Sequence, residues 1–81
     1  MYYVYVLKSL KENTTYIGVT SNLKKRFVDH NSGRSTYTKS KRPWKLLYYE
    51  AYFQKSTAYK REYRLKKYGK EKQSLFERIN I

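Results

Sequence analysis

The sequence has no cysteine and one proline, and only six of its 81 residues are acidic. Without cysteine, the chain can form neither a disulfide framework nor a thiolate metal site. It also lacks an apolar run near the roughly 20 residues of a membrane span, and no signal-peptide pattern opens it. We therefore expect a cytoplasmic protein without a membrane partner, folded as a single domain over residues 1–81.

Most of the charged residues are basic. Nineteen Lys and Arg residues against six Asp and Glu residues give a net charge of +13. An excess of this size on a small domain predicts a polyanionic partner, and nucleic acid fits best. An anionic membrane surface is a weaker alternative, because no basic helix with a large apolar face supports it. A generic solubility charge is the third interpretation.

The hydrophobic pattern predicts an α/β (α+β) domain with the element order β-β-α-β-α-α. Residues 2–7 and 14–19 are rich in aromatic and β-branched side chains and predict an antiparallel hairpin. Residues 44–53 predict a third strand, whereas residues 34–42 are polar and predict an exposed loop. The expected architecture is a small three-stranded antiparallel-type sheet flanked by helices.

Three helices are predicted from capping signals. The first begins near residue 23, after the capping side chains of residues 20–22, and ends at Gly33. The second is expected to begin at a cap on Ser56 or Thr57, to run to about Tyr68 and to be closed by Gly69. A short third helix is expected from residue 70 onward.

Five residues carry groups suited to hydrolysis of a phosphodiester: Tyr5, Tyr16, Arg26, His30 and Glu62. Such a reaction needs a group that accepts a proton, a cation that neutralises the phosphate and a ligand for a metal ion. Two phenols, an imidazole, a guanidinium and a carboxylate could supply them. Tyr5 and Tyr16 lie on strands expected to pair, so their side chains can share one face.

Simpler interpretations of the same residues remain open. Arg26 and His30 are four residues apart on the first helix and could be a solvated base beside a core histidine. Glu62 shares a helical stripe with Ala58 and Leu65, so its carboxylate should point toward the packed side. There it needs a partner, which is either a metal ion or a neighbouring base.

Gly18 and a basic loop add further candidates. A glycine within a strand indicates close approach of a ligand or another backbone, or else a β-bulge. Residues 39–45 mix cations with an aromatic residue, and we expect the cations to contact phosphates while Trp44 packs in the core. The predicted nucleic-acid contacts are Lys25, Lys39, Lys41, Arg42, Lys45 and Arg61.

Together, these residues resemble the GIY-YIG nuclease family over about residues 2–70. The first motif appears as Tyr3-Val4-Tyr5 and the second as Tyr16-Ile17-Gly18. The segment 22–33 resembles the helix that carries the family's Arg and His, and Glu62 matches the position of its metal-binding Glu. Tyr3 and Val4 replace the Gly and Ile of the family's first motif, but its Tyr is retained. The chain looks most like the small stand-alone bacterial members.

The resemblance implies a metal-dependent endonuclease that hydrolyses phosphodiester bonds in DNA, in repair or recombination. Glu62 would hold a single Mg²⁺ or Mn²⁺ ion, and Arg26 would stabilise the charge that develops on the phosphate. Tyr16 would act as general base or position the water, with Tyr5 and His30 orienting groups. DNA is favoured over RNA.

Many relatives carry a DNA-targeting domain, and its absence here leaves room for a protein partner that targets the substrate. The alternative function is a nucleic-acid-binding module that keeps the nuclease fold but has little or no independent cleavage activity.

Overall fold

A computed structural model describes residues 1–80 and shows a three-stranded antiparallel sheet with three α-helices. The predicted order β-β-α-β-α-α is confirmed. The elements are β1 (Tyr2–Ser9), β2 (Thr15–Thr20), α1 (Leu23–Ser32), β3 (Trp44–Tyr52), α2 (Lys55–Lys67) and α3 (Gly69–Arg78). A single 3₁₀ turn, Lys39–Lys41, interrupts the loop between α1 and β3. Within the described residues, no helix is long and apolar enough to cross a membrane.

β1 is the central strand, and it pairs with β2 on one side and β3 on the other. Successive side chains of a strand point to opposite faces of the sheet. Val4 and Val6 face the cluster formed with α2 and α3, whereas Tyr5 and Leu7 face the cluster that includes residues of α1. All four are at most 1% exposed. Burial on both faces explains why residues 2–7 of β1 are apolar or aromatic without interruption.

Two hydrophobic clusters hold the helices to the sheet. The buried members of the first are Val4, Val6, Ile17, Ala58, Leu65 and Leu75. The second consists of Tyr5, Leu7 and Trp44, with Leu23 and Phe27 of α1 packed against it. Trp44 is 3% exposed, which confirms its expected place in the core.

The ends of α1 follow the predicted signals. The side chain of Asn22 accepts a hydrogen bond from the backbone N–H of Lys25 at 3.1 Å and caps the N-terminus. Gly33 ends the helix in the left-handed conformation, with φ of 85°, which a residue without Cβ adopts freely. These two caps set where the candidate residues of α1 lie relative to the sheet.

Two predicted helix ends were wrong. α2 begins at Lys55, so Ser56 and Thr57 lie in its first turn, and the Gln54 carbonyl accepts from the Ala58 N–H at 3.3 Å. Gly69 does not close α2 but is the first residue of α3. The extended backbone of Tyr68, with φ of −102° and ψ of 108°, separates the two helices.

An ion pair fastens α2 to β3. The guanidinium of Arg61 donates to both carboxylate oxygens of Glu50 at 2.9 Å, and the Tyr48 hydroxyl donates to the same carboxylate at 2.6 Å. Tyr52 donates to it as well. The side chains of Glu50 and Arg61 are 12% and 25% exposed. Arg61, predicted to contact nucleic acid, is therefore engaged within the fold.

Candidate active site

Tyr5 and Gly18 are direct partners across β1 and β2. A Cβ at position 18 would lie 2.5 Å from Cζ of Tyr5, so the phenol fills the space left by the missing side chain. The β1–β2 register runs on unbroken through Gly18, and the irregularity in the sheet lies between β1 and β3. The bulge interpretation was therefore wrong, and the close approach expected at Gly18 is made by a side chain of the same protein.

The Tyr5 phenol begins a buried hydrogen-bonded chain. Its oxygen lies 2.8 Å from His30 Nε2, and His30 Nδ1 lies 2.7 Å from Thr38 Oγ1. Thr38 Oγ1 in turn lies 3.5 Å from the Ser35 carbonyl, which can only accept. The consistent arrangement has Tyr5 donating to Nε2, Nδ1–H donating to Thr38 and Thr38 donating to Ser35. The chain connects β1, α1 and the following loop.

Burial sets the protonation states of this chain. Burial, with the phenol of Tyr16 and the carboxylate of Glu62 adding to it, raises the pKa of Tyr5 to about 12, although the Arg26 guanidinium opposes the rise. Burial and Arg26 lower the pKa of His30 to about 4. At neutral pH Tyr5 is therefore a hydroxyl donor and His30 is uncharged. Neither carries a positive charge that would attract a phosphate, and both ring systems are buried and hydrogen-bonded within the protein.

Tyr16 lies at the boundary between this chain and the surface. Its ring centroid is 5.0 Å from that of His30 and 5.7 Å from that of Tyr37. The side chain is half-buried and borders an open cleft of about 490 Å³. Consecutive residues of the edge strand β2, Thr15 to Ile17, line this cleft, so it runs along the outer edge of the sheet. Of the two predicted catalytic phenols, Tyr16 is the one that substrate could reach.

Arg26 and Glu62 bring opposite charges to the same place. Both are half-buried, on α1 and α2 respectively, and both act electrostatically on Tyr5. The Glu62 carboxylate lies 3.1 Å from Lys66 Nζ, which itself lies 5.6 Å from the ring centroid of Tyr16. The structure thus brings all five candidate residues together. It also shows that Glu62 has a neighbouring base, Lys66, as its partner, which is what the simpler interpretation expects.

The donor set near Glu62 suits a hard, largely hydrated ion. No group of three or more His, Asp or Glu side chains that could form a metal cage occurs within residues 1–80. Mg²⁺ is commonly bound through one or two carboxylates, with water and substrate phosphate supplying the other ligands. A side chain that is 21% exposed, such as Glu62, can serve in this way. The residues present therefore fit Mg²⁺ or Mn²⁺, provided that Lys66 releases the carboxylate.

The predicted nucleic-acid contacts lie in different local surroundings. Lys39 and Arg42 line a shallow groove of about 370 Å³ together with Lys11. Lys41 Nζ lies 5.4 Å from the ring centroid of Tyr37, nearer to the cleft beside Tyr16. Lys45 is exposed at the start of β3. These four predicted cations face solvent or the cleft and can meet phosphate.

Lys25 and Arg61 differ from those four because each has an acidic partner. Lys25 Nζ lies 3.2 Å from Asp29, one turn along α1, and its own side chain is 68% exposed. It can therefore exchange this partner for a phosphate. Arg61 is held by Glu50 in a bidentate, half-buried pair, and it has no such freedom.

Sequence reasoning missed the residues that support the site. Thr38 is fully buried, bonds His30 and accepts at its carbonyl from the Trp44 indole N–H at 3.0 Å. Asn31 clamps α1 to β3 by bonding both the N–H and the carbonyl of Trp44. Thr38 lies in a polar loop among other hydroxyl residues, so composition gave no signal for it. Lys66 was not missed in this way, because a neighbouring base was one expected partner of Glu62, and Lys66 lies at the i, i+4 spacing of such a pair.

Comparison with known proteins gives consistent matches over most of the chain. A family model described as the GIY-YIG catalytic domain matches residues 1–75. A UPF0213 protein of Staphylococcus haemolyticus is 41% identical over 71 residues, which cover 86% of this chain and 85% of that protein. A UPF0213 protein of Clostridium perfringens is 46% identical over 68 residues, with coverages of 83% and 72%.

A solved structure is similar as well. The solution NMR structure of a UPF0213 protein from Bacillus halodurans aligns with a TM-score of 0.55 at 31% sequence identity. The alignment covers 91% of this chain and 81% of that one.

Proposed function

This chain belongs to the GIY-YIG family, and from that premise we propose that it is a metal-dependent endonuclease that hydrolyses phosphodiester bonds in DNA. The observation that carries the proposal is the convergence of Tyr16, Arg26, His30 and Glu62 around Tyr5, with Tyr16 bordering an open cleft. The net charge of +13 supports a polyanionic substrate. DNA rather than RNA is the proposed substrate, and the cytoplasm is the proposed compartment.

The proposed roles follow from exposure and charge. Tyr16 borders the cleft and is assigned to accept a proton from, or to position, the attacking water. Arg26 is assigned to neutralise charge that develops on the phosphate. Tyr5 and His30 are too buried to touch substrate directly, so they hold Tyr16 in place through packing. A Mg²⁺ or Mn²⁺ ion at Glu62 would supply Lewis-acid stabilisation of the phosphate oxygens.

One observation favours the second candidate, a nucleic-acid-binding module without independent cleavage. The Glu62 carboxylate is paired with Lys66 at 3.1 Å, so an ammonium lies where a divalent ion would bind. Should that pair persist with nucleic acid bound, the basic surface would bind DNA without cutting it. A protein partner that targets the substrate could also be required to release the carboxylate.

A cleavage panel separates the two functions. Single-stranded, duplex, nicked and branched DNA are each incubated with Mg²⁺ or Mn²⁺ and wild-type protein, Glu62→Gln or Glu77→Gln. Glu77 is exposed on α3, and its substitution changes net charge by the same amount. We expect Glu62→Gln to lose at least ~10²-fold in cleavage with DNA affinity held or raised, and Glu77→Gln to cleave normally. Full cleavage by a folded Glu62→Gln protein would refute the metal role.

Binding without cleavage in every lane would favour the second function. Arg26→Ala adds a further check, because one of nineteen basic residues contributes little to total attraction. A positioned guanidinium, in contrast, stabilises developing charge. We therefore expect this variant to lose far more cleavage than affinity.

A further inference from the structure

The cleft beside Tyr16 has a second aromatic wall that the proposed chemistry does not use. It is lined by Thr15, Tyr16, Ile17, Tyr37, Lys66 and Lys72. Tyr37 is 69% exposed, although its ring centroid is only 5.7 Å from that of Tyr16. A large aromatic side chain that stays exposed at the mouth of a site has an unused ring surface. Apart from the parts that face Tyr16 and Lys41 Nζ, that surface is available to a ligand.

The neighbouring residue fixes Tyr37 in this position. Thr38 is fully buried and bonds His30 with its hydroxyl and the Trp44 indole with its carbonyl. Because Thr38 is anchored in the core, the residue before it is presented outward at a defined place. Tyr37 is thus held by the same hydrogen bonds that organise Tyr5 and His30. Its backbone is therefore preorganised at the cleft.

Cations surround this wall. Lys66 and Lys72 line the cleft, and Lys41 Nζ lies 5.4 Å from the Tyr37 ring centroid. Of these three lysines, Lys66 is paired with an acidic side chain, Glu62, at 3.1 Å. Cations that follow a phosphate backbone, combined with an aromatic ring on which a base stacks, are the means by which proteins bind single-stranded nucleic acid. A base in a duplex is covered by its neighbours and cannot stack on such a ring.

We propose that the Tyr37 cleft binds an unpaired nucleotide adjoining the scissile phosphate, with its base on Tyr37 and its phosphate at Lys66 and Lys72. Tyr37 is then a positioning residue that selects substrates with single-stranded character next to the cut. The statement about the cut rests on the proposed nuclease function. The binding of an unpaired nucleotide does not, because it follows from the cleft alone.

Binding in EDTA tests the cleft without any need for cleavage. Fluorescence anisotropy compares a short single-stranded oligonucleotide with a blunt duplex for wild type, Tyr37→Ala, Tyr37→Phe and Tyr59→Ala. Tyr59 is a matched control: it is 47% exposed, with Lys55 Nζ 5.5 Å from its ring centroid, but it does not line the cleft. Tyr37 is exposed, so its truncation should leave the fold intact.

We expect Tyr37→Ala to bind the single strand about 5- to 100-fold more weakly, since one base stacked on an aromatic ring is worth roughly that factor. Tyr37→Phe should stay within about 2-fold of wild type because it keeps the ring, and Tyr59→Ala should do the same. Duplex binding should change little in any variant. An undiminished affinity of Tyr37→Ala for the single strand, or an equal loss on the duplex, would overturn the proposal.

The same measurement separates this inference from the nuclease function. One outcome is that the protein binds single strands in a Tyr37-dependent way and yet cleaves no substrate. That outcome would support nucleotide binding in the cleft and would favour the binding-module function over the nuclease function. Normal cleavage, with binding and KM unchanged by Tyr37→Ala, would support the nuclease function and refute nucleotide binding in the cleft. Where the protein cleaves, an abasic nucleotide beside the cut should raise KM in wild type but not in Tyr37→Ala.

Discussion

The phenol of Tyr5 occupies the space above Gly18, its direct partner across β1 and β2. This contact joins the tyrosine of the first sequence motif to the glycine of the second. Tyr5 is 1% exposed and bonded to His30, so it has little room to move aside. The two motifs are therefore a single packed unit, and the glycine is required by a side chain of the protein.

We expect Gly18→Ala to displace the Tyr5 phenol. The added Cβ would lie 2.5 Å from Cζ of Tyr5, closer than packed carbon atoms can approach. Overpacking of this kind costs about 1–3 kcal/mol of stability. Because displacement also shifts the packing around Tyr16, cleavage should fall by about 10-fold or more. Urea unfolding and initial cleavage rates measure the two effects.

Gly69→Ala provides the control for that substitution. A Cβ at Gly69 would meet nothing within 4 Å, and the residue begins α3 without a positive φ. Alanine at this position should leave cleavage unchanged and raise stability by up to about 1 kcal/mol. Gly18→Ala behaving like Gly69→Ala would contradict the packing argument.

His30 should make stability fall with acid. Its pKa is about 4 in the folded protein against 6.5 for an unperturbed histidine. Between those values the unfolded chain binds a proton that the folded protein does not, so lowering the pH favours unfolding. The contribution of the neutral His30 to the free energy of unfolding is complete above pH 6.5. It is lost progressively as the pH falls toward 4, by up to about 3 kcal/mol. Urea unfolding at several pH values across this range measures it.

Two observations check the assignment to His30. It is the single histidine of the chain, so its imidazole proton resonance titrates without ambiguity. His30→Gln should be less stable at pH 7 but should show a flatter pH dependence between pH 6.5 and 4. A resonance that titrates near pH 6.5 in the folded protein would refute the buried neutral imidazole.

Loss of the carboxylate charge should mainly lower stability at Glu50 and mainly lower cleavage at Glu62. Glu50→Gln removes the bidentate partner of the half-buried Arg61 and leaves it the longer ion pair to Glu71 at 3.7 Å, so we expect a loss of about 1–3 kcal/mol with the catalytic groups untouched. Glu62 pairs with a lysine that is 49% exposed, so Glu62→Gln should cost under about 1 kcal/mol but abolish cleavage. Thermal unfolding and cleavage of both variants test this contrast. Similar stability losses in the two would contradict the division between a structural and a functional carboxylate.

The fold was predictable because its signals are local. The aromatic and β-branched run of β1, the Asn22 cap and the Gly33 stop are each encoded within a few residues. The start of α2 was missed because hydroxyl side chains also occur inside a first turn, as Ser56 and Thr57 do. The prediction that Gly69 closes α2 was wrong for a similar reason, since a glycine can begin a helix as well as follow one.

Candidate site residues could be named from the sequence only where a motif carried them. Tyr5, Tyr16 and Glu62 were found through the family resemblance. Their supports depend on which side chains meet after folding, and sequence spacing does not give that information. Thr38 reaches His30 across eight positions, and Arg61 reaches Glu50 across eleven, from a helix to a strand. Predicting nucleic-acid contacts from charge alone therefore included a residue that is bound to an internal acid.

Nucleic-acid affinity should fall steeply with salt. If about five phosphates are neutralised by the exposed cations, the log–log slope on duplex DNA should be roughly −4 to −5. Anisotropy titrations in EDTA between about 50 and 200 mM salt measure the slope. An affinity that stays flat over this range would contradict an electrostatic mode of binding.

Lys66 should restrain metal binding. Its ammonium lies 3.1 Å from the Glu62 carboxylate and must yield if that carboxylate is to hold a cation. Lys66→Met keeps most of the aliphatic stem but removes the charge. We expect Mn²⁺ to bind this variant about 2- to 5-fold more tightly, since an ion pair at this exposure is worth up to about 1 kcal/mol. Calorimetry, or paramagnetic broadening of resonances near Glu62, reports binding without any cleavage.

Controls distinguish this competition from a change in overall charge. Lys60→Met, on the same helix and exposed, lowers the net charge equally and should leave Mn²⁺ affinity nearly unchanged. Adding Glu62→Gln to Lys66→Met should abolish the gain. Because Lys66 also lines the Tyr37 cleft, the variant should bind single-stranded DNA more weakly while it binds the metal ion more tightly. Equal effects of Lys60→Met and Lys66→Met on the metal ion would show that general charge, and not the Glu62 pair, sets its affinity.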